Sequence, residues 1–201
     1  GDASMPIFTA GRTAGTVQQA EAQQQQALLQ YQKAIQTAFR EVEDALVTLQ
    51  KSRERLAAQG RQVDALRTYA RLARLRYDNG YTSYIEVLDA ERNLFNNEIS
   101  YTQTQGLVFA SLVDLYKAMG DLALEQGAEE QAEAFLQEAC RLEEDDLDAF
   151  EKLARLYLKR GAYLEAGLCY ENMLRLDPNR TDLMVQIAAL YQRQVAMATT
   201  H

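Results

Sequence analysis

The sequence predicts an all-α fold: a long antiparallel coiled-coil helical hairpin followed by shorter paired helices. Three observations predict it. Apolar residues make up 47% of the 201 positions, yet only two prolines and ten glycines punctuate them. That suits long helices better than the frequent turns of a β fold. A heptad of small and apolar positions runs from Leu28 to Tyr77. A different pattern, repeating at an offset of 34 residues, occupies about the last two fifths of the chain.

Composition also bounds function. The net charge is −8, and the Lys and Arg residues are scattered. Such a chain is a poor partner for nucleic acid or anionic lipid. No apolar run is long enough to cross a bilayer as a helix. The one histidine is His201, which argues against a histidine metal site or a Ser-His-Asp relay. No cofactor is expected. Cys140 and Cys169 form no CxxC pair and read as small buried side chains, with a disulfide left open. Gly1-Asp2-Ala3-Ser4 before Met5 reads as an appended remnant, so an original export signal could have been removed.

The first helix follows from positions 28, 31, 35, 38, 42, 45, 49, 52, 56, 59, 63, 66, 70, 73 and 77. The steps alternate three and four, and only Ser52 and Gln59 interrupt the apolar character. Sustained this long, the 3.5-residue period implies supercoiling against a partner. One helix from about Arg12 to Asp78 is expected, weakened but not ended by Gly15 and Gly60.

The reversal follows. Asn79-Gly80 tolerates the left-handed conformation at a helix end. Ser83 and Glu86 match an S-x-x-E capping box, and Asp89 adds negative charge near the new helix's positive end. The second arm is assigned a seam at 85, 88, 92, 95, 99, 102, 106, 109, 113 and 116, with Arg92 turned outward and Gly106 available for close backbone approach. The hairpin thus covers 12–120, with its tip at 78–83.

Several stretches carry a resemblance. They are Pro6-Ile7-Phe8 with Gly11-Arg12, the run from Tyr31 to Leu46, Arg76-Tyr77-Asp78-Asn79-Gly80 with Ser83 to Ala90, and Leu115-Tyr116-Lys117-Ala118-Met119-Gly120. In order and spacing they resemble the last quarter of TolC-like outer-membrane efflux channels. Residues 1–11 thus combine the appended leader remnant with a segment, Pro6-Ile7-Phe8 to Gly11, that the resemblance makes the exit from a membrane barrel. The resemblance implies that the hairpin hangs into the periplasm, assembles as a trimer or hexamer, and meets a periplasmic adaptor protein. Tyr77, Glu86 and Asp89 would lie near the pore mouth. Asn79, Gly80, Tyr81, Thr82, Ser83 and Tyr84 would form the adaptor-docking tip. Some members carry an arginine just after the tip glycine that helps lock the closed state. Thr82 stands there, so no arginine lock is expected at that position. The bland reading of Glu86 and Asp89 is helix capping and dipole compensation, and both readings can hold together.

Residues 121–201 begin a different pattern. Phe150, Leu153, Ala154, Tyr157, Gly161, Tyr163, Ala166, Tyr170, Leu174 and Pro178 fall at the spacings of a tetratricopeptide repeat, and so resemble one. Gly127, Ala132, Leu136 and Ala139 match one repeat earlier. Met184, Ile187, Ala188 and Tyr191 match one later, as a terminal capping helix. Gly120 falls where Ala154 does, so the hairpin's second arm is expected to continue into the repeats.

Two functional readings follow. In the first, the chain is a non-enzymatic transport component whose tip docks an adaptor. Lacking the barrel strands, it would be a soluble fragment, a truncated variant or an engineered fusion. In the second, it is a coiled-coil and repeat scaffold that binds a protein partner. Nothing supports an enzyme.

Overall fold

The computed structural model describes the backbone of residues 9–199 and the side chains of 16–197. Pro6-Ile7-Phe8 and His201 lie outside the described residues, as do the side chains of Gly11-Arg12. Six helices follow one another: α1 (Thr9–Asp78), α2 (Tyr84–Glu125), α3 (Glu129–Leu142), α4 (Leu147–Arg160), α5 (Tyr163–Leu176) and α6 (Thr181–Thr199). There is no strand among the described residues.

α1 has 70 residues, and at 1.5 Å each it is about 105 Å long. Neither Gly15 nor Gly60 interrupts it. Its expected seam is the buried stripe. Ala38, Leu49, Val63, Ala70 and Ala73 are buried, and Ile35, Val42, Ala45, Leu56 and Leu66 are half-buried. The ends differ: Leu28, Tyr31 and Tyr77 are exposed. Tyr31 donates its hydroxyl to the carbonyl of Glu125 at 3.2 Å, so α1 continues past the end of α2.

The seam expected on α2 is a correction. Ile85, Leu88, Phe95, Ile99 and Phe109 are exposed, as are Arg92, Thr102 and Gly106. The stripe turned inward is Val87, Ala90, Leu94, Asn97, Tyr101, Thr104, Val108, Ser111, Leu115 and Ala118, all buried or half-buried. The reason is steric. Small groups face small groups across the pair: Ala90 packs with Ala70 and Ala73, and Ser111 meets Ser52 at 3.5 Å. Gly60 leaves room for Tyr101, whose ring stands 3.4 Å from where a Cβ would be. Ion pairs flank this seam, with Arg67 on Glu98 at 2.7 Å and Arg74 on Glu91 at 3.8 Å. Gly106 serves no close approach here, because nothing lies within 4 Å of a Cβ built on it.

Of the expected α2 positions, Val113 and Tyr116 do point into a core, but it is the C-terminal one. That core runs without a break from Val113 through α3, α4 and α5 to Leu190 on α6. α2 passes straight through Gly120 into it. At Gly120 the helices nearly touch: a Cβ would stand 2.9 Å from Cγ and Cδ2 of Leu136. Lys117 reaches Asp146 at 2.8 Å, and Lys152 reaches Asp121 at 2.5 Å, so charged groups on α2 and α4 cross-link the junction. Asp146 also caps α4, accepting from the backbone N–H of Asp148 and Ala149.

Cys140 and Cys169 are free, buried thiols in this same core. Burial pushes them up to about 11 and about 12. α6 seats Leu183 and Leu190 inward, with Ile187 and Tyr191 half-buried. The expected inward positions Met184 and Ala188 are exposed. Their equivalents on α4, Phe150 and Ala154, are covered by α5, and no further helix of the described residues covers them on α6.

Candidate functional site at the hairpin tip

The tip is built by one helix ending and another starting within five residues, 79–83. Gly80 takes φ 77°, the left-handed conformation that a side chain would strain. Its N–H bonds to the carbonyl of Tyr77 at 2.8 Å, and the N–H of Tyr81 bonds to that of Arg76 at 2.8 Å. These two bonds form the Schellman motif, which satisfies carbonyls that the helix end leaves open. Asn79 keeps a negative φ and donates its side-chain amide to the carbonyl of Leu75 at 2.7 Å. Only Gly80 takes the left-handed position expected of the pair.

The capping box is a second correction. Ser83 occupies the N-cap with extended backbone, but its side chain makes no capping bond. The Glu86 carboxylate is held elsewhere. Arg76 donates to it at 3.0 Å, and the Thr82 hydroxyl donates to its other oxygen. The last turn of α1 is thereby clasped to the first turn of α2. The Tyr77 and Tyr84 rings meet beside this clasp, with centroids 5.2 Å apart and planes tilted by 52°. An aromatic pair in this geometry adds about 0.5–1.5 kcal/mol beyond its buried area.

The expected mouth residues therefore separate. Glu86 is neutralised within its own hairpin. Asp89 is exposed and has no ion pair or side-chain hydrogen bond among the described residues. Tyr77 is engaged with Tyr84. Among the expected docking residues, Tyr81 is 77% exposed and Ile85 beside them 68%. Arg76 is the functional residue that sequence reasoning passed over, although it stands in the tip motif. Its signal was its place before Gly80, since a tight reversal returns the chain toward it.

The described residues offer no cluster of three metal-ligating side chains. No helix of the described residues is long and apolar enough to cross a membrane.

The arrangement is a rigid projecting reversal with exposed aromatic and aliphatic groups. Comparison with known proteins bears on the hairpin that carries it. The family described as outer membrane efflux protein matches residues 2–121.

The chain belongs to the outer membrane efflux protein family.

Relatives agree. The solvent efflux pump outer membrane protein SrpC of Pseudomonas putida is 43% identical over 117 residues, covering 58% of this chain and 25% of the relative. The cation efflux system protein CusC of Escherichia coli K12 is 39% identical over 116 residues, again 58% of this chain and 25% of the relative. The chain thus spans about a quarter of the length of the curated relatives it matches. Both are named as efflux proteins, and the family match holds the tip and both arms of the hairpin as far as Asp121 on α2.

Proposed function

We propose that this chain supplies the periplasmic entrance hairpin of a tripartite efflux channel, and that its tip docks a periplasmic adaptor protein. The observation that carries the reading is the tip itself. A clasp of Arg76, Thr82 and Glu86 holds it, the glycine turn fixes its path, and Tyr81, Tyr84 and Ile85 stand exposed at its end. A preorganised reversal loses little entropy on binding, and exposed tyrosines are common interface anchors. Asp89, unpaired on the same end, is the carboxylate left to face a pore mouth.

The back of α2 supports assembly. Ile85, Leu88, Phe95, Ile99 and Phe109 form an exposed apolar stripe opposite the α1 seam. The same stripe continues into Val113 and Tyr116, where it is packed in the C-terminal core. Neighbouring hairpins in a trimer or hexamer would cover the bare portion. The chain performs no covalent chemistry; its substrates would move by diffusion past the mouth. The test is titration of an adaptor hairpin into the wild type and Gly80→Val. The variant should bind at least tenfold more weakly at unchanged helicity. Equal binding would refute tip docking.

A second reading has its own support. The core from Val113 to Leu190 is continuous across five helices, and on this reading they form a repeat segment resembling the tetratricopeptide type. On that reading the segment mediates assembly as a scaffold and the tip is dispensable. Charged side chains along the α2–α4 junction already pair with one another, at Lys117–Asp146 and Lys152–Asp121, which leaves no basic clamp there for an acidic peptide.

A further inference from the structure

The outer stripe of α2 changes character within about one turn. Phe109 is 64% exposed, and Val113, next on the same face, is 2% exposed. α3 provides the cover. The Tyr116 ring meets Phe135 of α3 with centroids 6.4 Å apart, and Leu142 at the end of α3 packs against the core that holds Val113. The loop after α3 is fixed at the same level, because Lys117 reaches Asp146 at 2.8 Å and Asp148 at 3.7 Å. Just before Asp146 stand Glu143, Glu144 and Asp145. All three are exposed, with no ion pair or side-chain hydrogen bond among the described residues. The bare stripe thus ends on a helix and an acidic loop.

Charge divides at the same boundary. Residues 1–120 hold 13 Asp and Glu and 13 Lys and Arg. Residues 121–201 hold 16 Asp and Glu against 8 Lys and Arg, so the whole net charge of −8 lies in the C-terminal segment. Hairpins lying side by side with their tips at one end gather these segments at the other. There like charges repel, over a reach that salt controls.

Taking neighbouring hairpins as the cover of the bare stripe, as proposed above, we infer that the C-terminal helices are a stop on the assembly face of α2. α3 bars a second hairpin beyond Phe109, and the acidic segments hold neighbouring copies apart at that end. A neighbour covers the stripe from Ile85 to Phe109, about 36 Å at 1.5 Å per residue, and no further. The rest of that face belongs to the chain's own α3. The stop makes association depend on ionic strength, although the hairpin itself is balanced in charge.

The experiment is photo-crosslinking of the full chain. A photoreactive residue replaces Phe95, in the bare stripe, or Ala134, exposed on α3. Position 95 should give a product of twice the 22.7 kDa chain mass, and position 134 far less of it. Between about 0.01 M and about 0.15 M salt the screening length falls from about 30 to about 8 Å, and the yield at 95 should rise roughly twofold or more. Glu125→Lys, Glu143→Lys, Glu144→Lys and Asp145→Lys together, all at exposed positions, bring residues 121–201 to zero net charge. That protein should give the high-salt yield at low salt, at unchanged helicity. Glu143→Gln with Glu144→Gln and Asp145→Asn leaves −5 on the segment. It should give an intermediate yield, and it serves if the first variant loses helicity. Equal yields at 95 and 134 would overturn the stop alone, as would a yield at 95 that neither salt nor the charge changes alter. No product at 95 under any condition would overturn the stop and the side-by-side assembly together, while adaptor binding at the tip would be unaffected.

Discussion

Replacing Gly120 by alanine sets two effects of known sign against each other. In a helix interior, alanine is favoured over glycine by about 0.5–1 kcal/mol. The added Cβ, however, would stand 2.9 Å from Cγ and Cδ2 of Leu136, a side chain that is 0% exposed. Carbon atoms rest at about 3.5–4.0 Å, so Leu136 must retreat by roughly 0.6–1 Å. It is enclosed in the core of α3 and α4, and overpacking of this kind costs about 1–3 kcal/mol. The net expectation is a loss of about 1 kcal/mol. Gly106→Ala is the matched control, because nothing lies within 4 Å of its Cβ. It should gain about 0.5–1 kcal/mol. Urea denaturation followed by circular dichroism reads both. Leu136→Ala should cost less in the Gly120→Ala background than in the wild type, where about 2–5 kcal/mol is expected. If Gly120→Ala stabilised the protein as much as Gly106→Ala, the close approach of α2 and α3 would be refuted.

Four further outcomes are expected. Leu49→Asp puts an uncompensated charge at a seam position that is 6% exposed, at a cost on the order of 3 kcal/mol; an unchanged melting temperature would refute the α1 register. Cys140 and Cys169 should resist alkylation at pH 8 until the protein unfolds, since burial pushes them up to about 11 and about 12 and leaves roughly one thiolate in a thousand or fewer; rapid labelling of the native protein would contradict this. Burial alone would raise Asp146, but hydrogen bonds from Lys117 and from the N–H groups of Ala149 and Asp148 hold it below the usual carboxylate value. Burial alone would likewise lower Lys117, but Asp146, Asp114 and Asp148 hold it above the usual amine value. The Asp146 contribution is therefore full above about pH 4 and is lost as pH falls through its lowered value. The Lys117 contribution is full below about pH 10 and is lost as pH rises through its raised value. Melting temperature against pH should show both limbs, and Asp146→Asn should flatten the acid one. Asp146→Ala also removes the α4 cap and should cost about 1–2 kcal/mol in urea titration, whereas a loss below a few tenths would contradict the capping role.

The hairpin was legible in the sequence where one face alone was apolar. α1 has a single such stripe between Ile35 and Ala73, so its period identified the buried face directly. α2 is apolar on two opposite faces, and the larger residues lie on the outer one. Periodicity ranks Ile85, Leu88 and Phe95 above Val87, Ala90 and Leu94, yet the face that closes over Ala70 and Ala73 is the one carrying small Ala90, with Leu94 beside it. Complementary sizes across the pair, small Ser52 against small Ser111 and Gly60 against the Tyr101 ring, carried the missing signal. The tip was legible at Gly80, since a left-handed position selects glycine. Its clasp was not, because Arg76 and Glu86 meet only once the turn is formed, and the local S-x-x-E pattern offered a nearer explanation for Glu86. On α6 the period was right but the face rotated. Leu183 and Leu190 are buried in the C-terminal core, while Met184 and Ala188 are exposed.

The central claim, that the tip rather than the C-terminal helices meets the adaptor, is tested most directly by site-specific photo-crosslinking. A photoreactive residue would replace Tyr81 in one protein and Arg141, exposed on α3, in another. Each would be mixed with a periplasmic adaptor hairpin, irradiated, and resolved by mass. The account expects a crosslink from position 81 and none from position 141. A crosslink from 141 alone would contradict it and assign the binding surface to the C-terminal helices.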